Sequence, residues 1–223
     1  MGYELSDSQL KSELQALFAS GACGMSDDFH KWIRMEIKRK FREFPDLTLE
    51  RTSAFLSGMI SAGEIEADKF GAGEYRPVKK NGVKKNLSSG RDQYQFIGEI
   101  EFSPMQFVRS KLESFLRNNN IPDDKILDIS IGTVEAVENA VKYGNGELVD
   151  VKYSVSRNGS FEIEMINRIG KSSITDDIER GKFSEATTLM RGMMVMQKLF
   201  DEMDLDIREE ESLVRFSARK NVK

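Results

Sequence analysis

Residue types on which many enzymes depend are almost absent from this sequence of 223 residues. It has one cysteine, Cys23, one histidine, His30, and one tryptophan, Trp32. Clusters of His and Cys metal ligands, Ser-His-Asp triads and Cys-His dyads are therefore largely excluded. A disulfide within one chain is also excluded, which fits a reducing cytosol. Any chemistry has to come from carboxylates, amides, hydroxyls and cations.

Long apolar runs and an excess of positive charge are lacking as well. No stretch of about 18 residues is free of charge, as a membrane span would require, and the N-terminus has no basic segment followed by an apolar one. We therefore expect a cytoplasmic protein with no membrane partner. The formal net charge of -4 disfavours a dedicated DNA-binding protein.

The first part of the chain is predicted to be helical. Apolar residues recur at helical spacing over residues 6–20, 29–44 and 48–62. These helices predict a small N-terminal domain over residues 1–70. The basic second helix and the lysine-rich segment that follows the helices could also suggest DNA binding, with residues 48–78 as a helix followed by a wing. The aromatic side chains, however, lie on the apolar stripe and not among the cations.

A basic linker is predicted over residues 71–92, because apolar residues nearly vanish there. It contains six cations and two acids: Arg76, Lys79, Lys80, Lys84, Lys85 and Arg91 against Glu74 and Asp92. This composition is typical of a solvated linker or of the tip of a β-hairpin.

Residues 93–223 alternate between predicted strands and helices. We predict a strand over 94–102, helices over 104–118 and 123–143, strands over 148–156 and 160–166, a loop over 168–188, a helix over 189–202 and strands over 203–208 and 212–219. Asn158-Gly159 is a strong signal for a hairpin turn. This order predicts an α+β sandwich with a mixed, mostly antiparallel sheet covered by helices.

The most informative pair of residues is Glu135 and Asn139 on the predicted helix 123–143. Residues four apart on a helix project side by side, so a carboxylate and an amide share one face. An amide oxygen is a suitable ligand for Mg²⁺, and a carboxylate can accept the proton of an attacking hydroxyl. The pair is compatible with phosphoryl transfer, although such pairs are more often solvated helix faces.

Residues 92–219 as a whole resemble the ATP-binding domain of the anti-sigma-factor serine kinases, within the superfamily of Bergerat-fold ATPases. The resemblance is most specific from Glu135 to Gly144 and is supported by Arg191-Gly192. It implies a two-layer ATP-binding sandwich, and it does not extend to the helical domain that precedes the sandwich. It also implies Asn139 as the Mg²⁺ ligand and Glu135 as the general base for a serine hydroxyl.

Other positions depart from the family pattern. Tyr143 stands where these kinases often have histidine, and Asn167 stands at the position of the aspartate that binds adenine. The resemblance also implies contacts with the nucleotide at Gly170, Lys171, Arg191, Gly192 and Ser212. In the segments around these residues, most of the glycines that the family pattern expects are replaced. We expect the helix that begins near Gly192 to offer its N-terminal amides to phosphate.

Two functions remain open at this point. The first is a bacterial partner-switching regulator that uses ATP and Mg²⁺ to phosphorylate a serine or threonine of a small antagonist protein and that sequesters a sigma factor or another regulator. The second is a degenerate binding module that keeps the fold and has lost nucleotide turnover. A homodimer is implied by the resemblance alone. For Met190, Met193, Met194 and Met196 we favour core packing over an adaptable partner surface.

Overall fold

The chain forms two compact units that interleave along the sequence. The computed structural model describes residues 2–67, 73–78, 90–170 and 183–223, with the backbone alone for residues 183–190 and 209. The first unit comprises residues 1–84 and 100–114, and the second comprises residues 85–99 and 115–223. The division into 1–70, 71–92 and 93–223 stays a prediction. Residues 71–72 and 79–89 of the predicted linker lie outside the described residues.

The first unit contains three helices, a short hairpin and the first part of a fourth helix, which is given below with the second unit. The three helices and the hairpin strands are α1 (Asp7–Ala19), α2 (Ser26–Phe41), α3 (Leu49–Ser61), β1 (Ile65–Ala67) and β2 (Tyr75–Pro77). Side chains at two helix starts satisfy backbone N–H groups that have no partner within the helix. The Ser6 hydroxyl accepts from Gln9, and the Thr48 hydroxyl accepts from Arg51. The three helices agree closely with the prediction.

An aromatic cluster forms the core of this unit. Trp32 lies edge-on to Phe29 and to Phe107, with ring centroids 5.1 and 5.7 Å away. Phe29 also packs on Phe18 at 4.4 Å. The only tryptophan of the chain is fully buried, so it serves packing in the first unit.

The second unit is built on a five-stranded sheet with the order β3-β4-β5-β7-β6. Its strands are β3 (Gly90–Ile97), β4 (Leu148–Val155), β5 (Ser160–Arg168), β6 (Glu202–Arg208) and β7 (Leu213–Asn221). Every pairing among these strands is antiparallel. The sheet that these five strands form is therefore antiparallel, whereas the prediction was a mixed, mostly antiparallel sheet. Helices α5 (Asp123–Tyr143) and α6 (Phe183–Leu199) complete this unit, and α4 (Pro104–Asn118) ends in it.

Alternation along β5 decides which side chains reach the core. Phe161, Ile163, Met165 and Asn167 are buried, whereas Glu162 and Arg168 between and beyond them are exposed. Successive side chains of a strand point to opposite faces. Asn167 therefore shares the buried face of the sheet with three apolar residues.

Two predicted elements have different bounds in the structure. The predicted strand 94–102 is shorter, because β3 ends at Ile97 and a 3-10 turn follows at Ile100–Phe102. The predicted helix 189–202 is displaced, because α6 begins at Phe183 and ends at Leu199. Residues 183–191 contain no glycine or proline that would stop a helix. At the other end, the amide of Asp201 donates to the Arg219 carbonyl and so starts the pairing of β6 with β7.

Among the described residues, no helix combines the length and the apolar character needed to cross a membrane.

Candidate functional site

Glu135 and Asn139 lie on the side of α5 that faces α6. A Cβ atom built on Gly192 of α6 would lie 3.0 Å from Oε2 of Glu135 and 3.5 Å from Nδ2 of Asn139. Both side chains are half-buried. Neither makes a side-chain hydrogen bond or ion pair with any residue in the described part of the chain. The structure thus brings three of the predicted site residues together, and none of the described contacts gives the polar pair a structural task.

The electrostatic surroundings of Glu135 favour its protonated form. Partial burial raises the pKa of this carboxyl above its ordinary value, and the negative charge of Glu138 raises it further. No cation neutralises Glu135 among the described residues. A carboxylate whose pKa is raised is a better match to proton acceptance near neutral pH than an ordinary surface glutamate.

Asn167 and Asn139 both line a small apolar cavity. The cavity has a volume of about 50 Å³. It is lined by residues of α5, of α6 and of the buried sheet face: Ala136, Asn139, Ala140, Tyr143, Met165, Asn167, Ile169, Met193, Met196, Met203, Leu205, Ile207, Val214 and Phe216. Asn139, Tyr143 and Asn167, all predicted site residues, therefore meet at one cavity.

The amide of Asn167 has few partners for a buried group. Its side chain is 7% exposed. Within the described residues its one side-chain hydrogen bond is a long one, from Nδ2 to the carbonyl of the adjacent Arg168 at 3.4 Å. Buried polar groups are normally hydrogen-bonded, and the described residues give the Asn167 amide only this weak hydrogen bond.

The end of β5 is tied to two other elements that contribute predicted site residues. Ile169 forms an antiparallel bridge with Gly144, which follows Tyr143 at the end of α5. The amide of Ile169 also donates to the carbonyl of Ser212 at 3.1 Å. Ser212 has a φ of 50°, an uncommon conformation for a residue that is not glycine. The backbone of Ser212 therefore joins it to the site. Its hydroxyl makes no hydrogen bond with any residue that the structure describes.

Gly170 follows this bridge in open space. A Cβ atom built there would meet no heavy atom within 4 Å, and its φ is not in the left-handed region. The surrounding structure therefore does not require glycine at this position. Lys171, which the resemblance also implicated, lies outside the described residues.

The expected phosphate site at the start of a helix near Gly192 is wrong for this structure. Gly192 lies nine residues into α6, and Arg191 is exposed on the same helix. Amides in a helix interior donate to the carbonyl four residues earlier. The Gly192 amide is therefore not one of the free amides of a helix N-terminus.

The methionines that line the cavity were not predicted as site residues. Met193 and Met196 extend from α6, Met165 from β5 and Met203 from β6. Core packing, the favoured interpretation, describes Met196, which is buried, whereas Met194 is 54% exposed. The two-residue spacing of Met165 and Asn167 on β5 was a signal that could have linked one of these methionines to the site.

A metal ion at this site would depend on few protein ligands. No group of three or more His, Cys, Asp or Glu side chains suited to a metal occurs within the described ranges. Asn139 offers one hard amide oxygen, and Mg²⁺ commonly keeps several waters and binds substrate phosphates. The donor set therefore fits Mg²⁺ that arrives with a phosphate compound better than a closed metal site.

Two solved structures are among those to which this chain is similar. The structure is similar to the RsbU and RsbW domains of Rv1364c from Mycobacterium tuberculosis, with 15% identity over 80% of this chain and 49% of that chain, and a TM-score of 0.46. It is similar to the SiaB–SiaC complex from Pseudomonas aeruginosa, with 16% identity over 57% of this chain and 88% of that chain, and a TM-score of 0.39. The chain spans about half the length of the mycobacterial chain.

No curated protein sequence is close enough to this chain to count as a match. The family model of the histidine kinase-like ATPase domain matches residues 103–218, which is more than half of the chain. The matched range includes α5 with Glu135 and Asn139, the hairpin that carries Asn167, and α6 with Gly192. The chain belongs to the histidine kinase-like ATPase domain family.

Proposed function

We propose that this protein is a partner-switching regulator whose second unit binds ATP with Mg²⁺ and phosphorylates a serine or threonine of a small antagonist protein. The sequestration of a sigma factor or another regulator is part of the same proposal. Membership of the ATPase family supports nucleotide binding. The resemblance of residues 92–219 to the anti-sigma-factor serine kinases supports the choice of acceptor.

The observation that carries the proposal is the meeting of Glu135, Asn139 and Gly192. A half-buried carboxylate and amide without described partners face a glycine that leaves room beside them. A structural role would be expected to show a hydrogen bond or ion pair for such groups. The arrangement instead leaves an oxygen ligand and a proton acceptor available side by side.

ATP and Mg²⁺ fit the residues of this site in kind. Asn139 would hold the metal, and Asn167 would bind the adenine ring at the buried end of β5. Mg²⁺ neutralises charge on the phosphates when it is bound. Glu135 would accept the proton of the acceptor hydroxyl, because its carboxylate lies next to Asn139 and its raised pKa suits that task.

The volume of the cavity sets a condition on this proposal. Pockets for small molecules usually measure about 300–1,000 Å³, and the cavity beside Asn167 measures about 50 Å³. Nucleotide binding therefore requires Met193 and Met196, or the whole of α6, to move. Methionine side chains are flexible and adapt to new neighbours, so the free-energy cost of such a rearrangement is small.

The second candidate is a degenerate binding module that keeps the fold without turnover. The small cavity favours it, as does the position of Gly192 inside α6. The replacement of the family aspartate by Asn167 favours it too, because a neutral amide binds an amino group more weakly than a carboxylate does.

DNA binding stays disfavoured for the first unit, although α3 and the β1–β2 hairpin have the connectivity of a helix followed by a wing. Cations of this unit are paired with acids: Lys11 with Glu64, Lys40 with Glu13, Arg51 with Asp7 and Arg76 with Glu66. A nucleic-acid surface needs basic residues that are available to phosphates.

Calorimetric titration of the full chain with ATP, with and without Mg²⁺, tests the proposal. We expect binding that Mg²⁺ strengthens, and Asn139→Ala should remove the Mg²⁺-dependent part. The matched control is Asn118→Ala, at an exposed helical position. Glu135→Gln should keep binding and abolish transfer to the acceptor. An absence of heat at millimolar ATP would reject the kinase and leave the binding module.

A further inference from the structure

The outer face of α5 carries an exposed apolar strip next to Glu135. Leu127 is 55% exposed and Ile131 is 42% exposed. Single exposed apolar residues are common on protein surfaces. These two are four residues apart on one helix, and they therefore form one continuous strip.

The strip is aligned with the carboxylate of the site. Leu127, Ile131 and Glu135 follow one another at four-residue intervals, so they form a single row. Each step along the row covers about 6 Å of helix axis. A protein segment that packs on Leu127 and Ile131 would therefore extend directly towards Glu135, and beyond it lie Asn139 and Gly192.

The charges that α5 itself presents around the strip are mainly negative. At 3.6 residues per turn, the same face presents Asp124 before the strip and Glu138 after it, both exposed. Glu135 adds a third carboxylate. The nearest acid on the α6 side, Asp128, is engaged with Lys220 at 2.9 Å. The exposed cation of this face, Lys142, lies in the last turn of α5.

We propose that the outer face of α5 is the docking surface for the phosphate acceptor, and that the docking element is a basic amphipathic helix. Such a helix would pack two apolar side chains on Leu127 and Ile131 and place Lys or Arg beside Asp124 and Glu138. The helix-on-helix mode uses apolar anchors at intervals of three and four residues. The assignment of this partner as the acceptor rests on the proposed function, whereas the binding itself does not.

The test uses a synthetic 18-residue peptide of leucine and lysine patterned as an amphipathic helix, titrated into the full chain without nucleotide. Fluorescence anisotropy of the labelled peptide measures the dissociation constant. A peptide with glutamate in place of lysine and a scrambled leucine-lysine peptide are the comparisons. We expect only the patterned basic peptide to bind well, and its affinity to fall as salt is added.

The decisive variant is Leu127→Ser combined with Ile131→Ser, because it removes the apolar strip and leaves every charge in place. We expect it to weaken binding of the basic peptide by about tenfold or more, from the loss of apolar contact. The matched control is Ile100→Ser, at an isoleucine that is 68% exposed in the first unit. This control should bind like the original chain.

Three results would overturn the docking surface. They are no binding of the basic peptide at millimolar concentration, equal binding by the Leu127→Ser, Ile131→Ser variant, and equal binding of the acidic peptide. Because the titration contains no nucleotide, a failure of ATP binding leaves its result unchanged. A circular dichroism spectrum and a denaturant midpoint that match those of the original chain confirm that the double variant folds.

Discussion

The ammonium of Lys220 donates to the carboxylate of Asp128 at 2.9 Å, which joins the last strand of the sheet to α5. The same ammonium donates to the carbonyl of Leu199 at the end of α6. Lys220 is 7% exposed. One buried cation therefore satisfies a helix C-terminus and a carboxylate on the neighbouring helix, and it connects β7 to both α5 and α6.

Removal of this cation should loosen the second unit. Lys220→Met leaves the Leu199 carbonyl without that donor and Asp128 without its cation, and we expect a loss of about 1–3 kcal/mol in stability. Hydrogen exchange of the β7 amides measures this loss in the second unit. The fluorescence of Trp32 would not measure it, because Trp32 lies in the first unit. The control is Lys152→Met, at an exposed lysine of the same sheet. Equal protection of β7 in both variants would show that the Lys220 contacts add nothing.

Two helical glycines should respond to alanine with opposite signs. A Cβ atom on Gly132 of α5 would lie 2.5 Å from a ring carbon of Phe200, so Gly132→Ala overpacks the core and should cost about 1–3 kcal/mol. A Cβ atom on Gly58 of α3 would meet nothing within 4 Å. Gly58→Ala should therefore stabilise its unit by about 0.5–1 kcal/mol through helix propensity. Denaturant midpoints of the two variants check both signs, and destabilisation by Gly58→Ala would contradict the second.

Local signals predicted most of the fold. Local patterns predicted α1, α3, α4 and α5 to within one residue at each end, whereas α2 begins and ends three residues before the predicted range 29–44. The turn at Asn158-Gly159 was equally local, and Gly159 adopts a φ of 83° there. Such features need no knowledge of the rest of the molecule.

Features that depend on distant parts of the chain were harder to predict. The position of Gly192 inside α6 was missed, since a glycine in the middle of a helix costs about 1 kcal/mol relative to alanine unless packing compensates for it. The residues that would show this compensation, Glu135 and Asn139, are more than fifty positions away in the sequence. The cavity was missed for the same reason, because its methionines come from three separate elements.

The pH dependence of transfer should report the raised pKa of Glu135. A base acts only when it is ionised, so the rate should fall, as pH is lowered, at a higher pH than for an ordinary glutamate. Burial raises this pKa first and the charge of Glu138 second. Glu138→Gln should therefore move the acid limb of the profile of kcat/KM to lower pH. The control Glu101→Gln, at an exposed carboxylate of the first unit, should leave the limb in place.

The same pKa shift has a consequence for stability. The folded state disfavours the ionised form of Glu135, so this residue lowers stability once pH rises above its unfolded pKa, and the effect is complete above its folded pKa. Glu135→Gln removes the penalty. The variant should gain stability relative to the original chain as pH rises through that window, and denaturant unfolding at several pH values measures the difference. A constant difference across the window would show that the pKa of Glu135 is not raised.

Asn167→Asp should change nucleotide binding and stability in opposite directions. A carboxylate accepts the proton of the adenine amino group through a charge-assisted hydrogen bond, which is about twice as strong as a neutral one. The variant should therefore bind ATP more tightly. It should also discriminate more strongly against GTP, because the amide of Asn167 can donate to the 6-oxo group of guanine and a carboxylate cannot.

Without nucleotide, the variant should be less stable than the original chain, since a carboxylate would be buried where Asn167 is 7% exposed. Calorimetric titration with both nucleotides and denaturant unfolding measure the two effects. The control Asn120→Asp makes the same change at an exposed position and should alter neither affinity. Unchanged affinity of Asn167→Asp for both nucleotides would mean that Asn167 does not contact the base.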